Sequence, residues 1–121
     1  MIGPGFTYLS RRPPHYTPHL YIIISPIIDD MVVFVNITTP KWDSDDTCIL
    51  NIGDHSFVKH KSIINYGDAK ETKIDYLEEA ISKNYIIPHD PVSDGLLKRI
   101  QAGALDSSAF NPSLKKYIPN P

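Results

Sequence analysis

The sequence predicts an α+β fold in which about five short antiparallel strands are followed by two helices. Three observations predict it. Short apolar runs rich in β-branched residues, bounded by Pro, Gly and Asp, fill the first half of the chain. The apolar spacing turns helical after residue 70. The connections between runs are too short for parallel crossovers, so neighbouring strands pair antiparallel. The 121 residues make one domain, 1–121, with a modest single core. That core is expected over 6–105, with a tail over 106–121. A small sheet of this kind hides its apolar face by bending into a partial barrel with helices at one end.

Each element has its own signal. Phe6–Leu9 reads as a first strand after Gly3-Pro4-Gly5, and Ser10–Pro18 as a proline-rich loop carrying Arg11, Arg12 and His15. His19–Ser25 is a second strand, and Pro26–Asp30 a turn. Met31–Thr39 is the clearest strand, and Pro40 would end its ladder. Pro40–Asp46 is an acidic loop, followed by a fourth strand over Thr47–Ile52. Gly53-Asp54 marks a turn, and His60–Asn65 a fifth strand closed by Gly67-Asp68. Ile74, Leu77 and Ile81 then fall at helical spacing, with Thr72 and Asp75 resembling a capping box. Tyr85–Pro88 is a short extended segment. Ser93 is an N-cap for a helix to about Ala104, with Leu96, Leu97 and Ile100 on one face. Asn111–Pro121 is either a loose tail or a packed arm.

Composition narrows the function classes. The hydrophobic share is 41% and the charged share 21%, as in ordinary water-soluble domains. No run reaches the length of a membrane span, and the N-terminus lacks a signal-peptide apolar region. The expectation is a cytoplasmic protein without membrane contact. Cys48 is the only cysteine, which excludes an intrachain disulfide and a Cys-rich zinc site. The net charge of −2 argues against broad electrostatic capture of nucleic acid. It leaves room for a local basic patch, since Lys59, Lys61, Lys70 and Lys73 cluster beyond the acidic loops.

The richest segment is GDHSFVKHKSIINYGDAK, Gly53–Lys70. It sets His55, Lys59, His60, Lys61, Ser62, Tyr66 and Lys70 between the apolar anchors Phe57, Val58, Ile63 and Ile64. Imidazoles move protons near neutral pH, and ammoniums hold phosphates. Metal-independent RNA cleavage needs a base for the 2′-hydroxyl, cations for the crowded phosphorus, and an acid for the leaving oxygen. His55 and His60 are the candidate acid and base, with the order open. Arg12 is a candidate catalytic partner that would hold a phosphate. Lys59, Lys61, Arg11, Ser62 and Lys70 are candidate RNA-binding residues, and Tyr66 a base-stacking one. Strand alternation would turn Lys59 and Lys61 away from His60 unless a bulge intervenes, and leave Ser62 on its face. No third ligand stands at zinc spacing from the two histidines, so neither metal nor cofactor is expected.

Four segments, in order, carry a resemblance. HLYIIIS (His19–Ser25), VVFVNITT (Val32–Thr39), KHKSIINYGDAK (Lys59–Lys70) and VSDGLLKRIQAGA (Val92–Ala104) resemble successive segments of the MazF/PemK toxins, ribonucleases of toxin–antitoxin pairs. The resemblance implies an SH3-like antiparallel barrel of about five to seven strands followed by two short helices. It also implies a toxin that cleaves single-stranded RNA, a homodimer, and a cognate antitoxin that lays an acidic segment into the basic groove. The family's catalytic Arg falls at His19, for which Arg11 or Arg12 would substitute. Its catalytic Thr or Ser falls on Thr38 or Thr39. His55 and His60 are not typical of the family. The rival reading is the same barrel as a non-catalytic module binding protein or nucleic acid.

Overall fold

The computed structural model describes residues 2–12 and 15–120, except for the side chains of 11, 12 and 15–17. The fold is α+β, as the sequence predicts. Six antiparallel strands form one curled, half-barrel sheet: β1 (Thr7–Arg12), β2 (His15–Ile23), β3 (Met31–Thr38), β4 (Ile49–Leu50), β5 (Ser62–Lys73) and β6 (Ile86–His89). Their order across the sheet is β4-β5-β3-β2-β1-β6. Helix α1 (Ile74–Ser82) lies between β5 and β6, and α2 (Asp94–Asp106) follows β6. A final 3-10 turn spans Pro112–Tyr117.

The near-continuous apolar runs in β2 and β3 have a physical cause: the sheet is covered on both faces. Ile22, Ile24, Val33, Val35 and Ile37 point into a large core with Leu96 and Ile100 of α2. The alternate residues Ile23 and Val32 enter a smaller core with Tyr8, Ile86 and Leu77 of α1. The C-terminal segment is the packed arm, since Phe110, Leu114 and Ile118 are buried in the large core.

Several boundaries differ from those read in the sequence. The proline-rich stretch is strand rather than loop on either side of residues 13 and 14, with Ser10 paired to His19 and Arg12 to His15. Gly67-Asp68 does not end the fifth strand. β5 pairs with β3 at Asn36↔Asn65 and again at Phe34↔Lys70, so the turn residues form a bulge inside one long strand. Asn65 Nδ2 bridges that bulge to Asp68 at 2.9 Å. The Thr72–Asp75 capping box does not form. β5 runs directly into α1 with Lys73 at the N-cap and no side-chain cap. Ser93 does cap α2, its side chain accepting the Leu96 N–H at 3.1 Å.

Candidate functional site

The sheet opens between β2 and β3. Among the described residues their pairing runs from Ile23↔Phe34 to Tyr21↔Asn36 and stops there. Beyond that point β2 keeps β1 as its neighbour and β3 keeps β5. A cavity of about 350 Å³ occupies the mouth of this split. Its walls come from three chain segments: Pro18 and His19 of β2; Ile37, Thr38 and Thr39 at the end of β3; and Phe57, Lys59, His60 and Ser62 from the connection into β5. Pairing of Thr38 with Ile63 sets the end of β3 beside the start of β5.

Five of the candidate residues therefore meet: His19, Thr38, Lys59, His60 and Ser62. The alternation argument that turned Lys59 away from His60 does not apply, because residues 59–61 precede β5 and are not strand. His60 is exposed, and its Nδ1 donates to the Lys61 carbonyl at 2.9 Å. In the neutral ring the lone pair then lies on Nε2, the nitrogen of a base. Ser62 is buried and donates to the His60 carbonyl at 2.9 Å, fixing the backbone of that residue. His19 and Thr38 are half-buried. Lys59 supplies a positive charge, and no carboxylate lines the cavity among the described residues. The lining is thus suited to an anion with hydroxyl and imidazole partners.

Other candidates stand elsewhere. His55 is buried away from the cavity lining, with Nε2 2.7 Å from the Asp90 carbonyl and Nδ1 accepting the Phe57 N–H at 3.0 Å. Tyr66 is 1% exposed and donates to the Ile100 carbonyl at 2.8 Å, so its ring has no face for a base. Burial pushes the Tyr66 hydroxyl up, and the Cys48 thiol likewise, which keeps both protonated. Lys61 is exposed outside the lining, and its carbonyl serves His60. Lys70 lies eight residues along β5 from Ser62, roughly 25 Å in an extended strand. The side chains of Arg11 and Arg12 lie outside the described residues.

Sequence reasoning missed the apolar walls, Pro18, Ile37 and Phe57. It also missed Asp90 as the group that fastens the segment after Gly53. The Asp90 carboxylate accepts from Ser56 Oγ at 2.7 Å.

No family model matches the chain, and no curated protein matches it. Among the described residues no helix is long and apolar enough to cross a membrane, and no three metal-ligating side chains cluster.

Proposed function

We propose that the cavity between β2 and β3 binds a phosphodiester of single-stranded RNA and that the protein is a metal-independent endoribonuclease. The observation that carries this reading is the convergence of two imidazoles, His19 and His60, with the Lys59 ammonium and the Thr38 hydroxyl. His60 Nε2 takes the proton from a 2′-hydroxyl. The 2′-oxygen attacks the adjoining phosphorus and the bond to the 5′-oxygen breaks, leaving a 2′,3′-cyclic phosphate. Protonated His19 gives its proton to the departing 5′-oxygen. Lys59 offsets the charge that builds on the non-bridging oxygens, and Thr38 donates a hydrogen bond to one of them. Each positioned acid or base is worth roughly 10²–10⁴ in rate.

The likeness to MazF/PemK toxins supports placing this activity in the cytoplasm as the toxin of a toxin–antitoxin pair. A homodimer and a cognate antitoxin belong to the same proposal. The test is incubation of pure protein with a long RNA in EDTA, with product ends mapped, beside His60→Ala and His19→Ala. Cyclic-phosphate ends and a loss of roughly 10²–10⁴ in each variant are expected. Intact RNA with folded protein rejects the activity, and full-rate cutting by both variants rejects the site. A non-catalytic binding module is favoured by one observation, the 97% exposure of Trp42. It predicts RNA or protein retained without cleavage.

A further inference from the structure

The segment that brings Lys59 and His60 to the cavity is fastened by one histidine. Nδ1 of His55 accepts the Phe57 N–H at 3.0 Å, and Nε2 donates to the Asp90 carbonyl at 2.7 Å. The Val58 N–H donates to the His55 carbonyl at 3.0 Å. Ser56 Oγ donates to the Asp90 carboxylate at 2.7 Å, and the Thr7 hydroxyl shares the Asp90 carbonyl at 2.6 Å. Residues 55–58 are thus tied to the connection after β6, and the next two residues in the chain are a cation and an imidazole of the cavity.

We propose that His55 is a pH-sensitive clasp that positions Lys59 and His60 at the cavity. His55 is 8% exposed, and its ring accepts at one nitrogen and donates at the other, so it is neutral when the clasp is closed. A proton on Nδ1 turns that acceptor into a second donor, facing the Phe57 N–H. The part-buried amide then loses its acceptor, and the segment lets go. The groups around His55 modulate this without replacing it. The His89 ring lies 5.6 Å away, centroid to centroid, and as a cation would repel a charged His55. The Asp90 carboxylate favours the charged ring, but it is held by Ser56. Asp54, the preceding residue, pairs with Arg99 at 3.3 Å. None of them supplies an acceptor to Phe57. The functional consequence rests on the reading of the cavity as an RNA site, whereas the clasp itself does not.

The test is amide hydrogen exchange on the full chain between about pH 8 and pH 5, the interval in which imidazoles ordinarily gain a proton. After correction for intrinsic exchange, protection of the Phe57 and Val58 amides is expected to fall roughly tenfold on acidification, equivalent to losing one or two hydrogen bonds. Sheet amides of β3 and β5 keep theirs. His55→Asn retains an acceptor at the Nδ1 position and does not titrate, so its Phe57 protection is expected to be flat with pH. His55→Gln reaches Asp90 but offers Phe57 no acceptor, so its protection is expected to be low throughout. Wild-type protection that does not change with pH overturns the clasp, as does an unchanged pH dependence in His55→Asn. The wild-type series decides the matter even if a variant does not fold. RNA that stays uncut in EDTA ends the nuclease reading and leaves the exchange result standing, so the two failures are distinct.

Discussion

Gly103 of α2 lies directly against the ring of Tyr66 in β5. A methyl group on Gly103 would stand 2.9 Å from Tyr66 Cζ and closer still to the hydroxyl. The ring cannot swing away. It is buried, its hydroxyl is bonded to Ile100, and Phe110 packs edge-on at 6.2 Å between centroids. Gly103→Ala is therefore expected to cost about 1–3 kcal/mol through overpacking. Urea unfolding should show a lower midpoint at unchanged slope. A midpoint at or above that of the parent protein would mean that α2 can lift off the sheet at this point.

Lys59 is the cation that separates the cavity from a merely polar cleft. If it meets a phosphate, Lys59→Met should lower kcat/KM for RNA cleavage by roughly tenfold or more, the loss of one charge-assisted contact. Binding should also become less salt-dependent, the slope of log affinity against log salt shrinking by about 0.7 for a single strand. Lys70→Met, far from the cavity along β5, is the matched control. Equal effects from the two lysines would point to general attraction rather than a built phosphate site.

Asp45 links the acidic loop to the end of α2. Burial raises its carboxyl, but hydrogen bonds from Ser107 and Thr47 outweigh that and hold it below the ordinary carboxylate range. The sign of the linkage follows. A carboxyl depressed in the folded state adds stability above its unfolded value, near 3.9, and that stability is lost as pH falls through the folded value. Ser107→Ala should therefore lower Tm at neutral pH, and the gap to the parent protein should narrow in acid. A gap of constant size from pH 7 to below about 3 would show that Ser107 acts only through its contact with the Ala109 N–H.

The legible parts of this chain are those whose signal is local. The β-branched runs of β2 and β3 and the Ser93 cap are written in neighbouring residues, and the structure has them as expected. Gly67-Asp68 misled because a bulge and a turn use the same residues, and only the β3 partner decides between them. The cavity was half legible. His60, Lys59 and Ser62 could be chosen by chemistry, and His19 and Thr38 by their place in the resemblance. Their meeting depends on where β2 and β3 stop pairing, which no local pattern encodes. His55 and His60 were equivalent as residue types. What divides them is tertiary: Asp90, 35 positions away, occupies one ring nitrogen of His55.

The turn between β2 and β3 is held at a conformational cost. Ile28 and Met31 exchange both backbone hydrogen bonds, at 3.0 and 2.9 Å, around the two-residue loop Asp29-Asp30. Both loop residues have positive φ, 52° and 61°, the pattern of a type I′ hairpin turn. Asp tolerates this region better than most residues, yet glycine enters it without the Cβ penalty. The Asp30 carbonyl also accepts the Ile74 N–H at 2.9 Å, a backbone contact that a side-chain change leaves in place. Asp30→Gly is therefore expected to stabilise the protein by about 0.5–1 kcal/mol, relieving both strain and the repulsion of adjacent carboxylates. Asp30→Val should do the reverse, since a β-branched side chain is least at home at positive φ. A Tm that falls with Asp30→Gly would mean that the Asp30 carboxylate, rather than the backbone geometry, holds this corner.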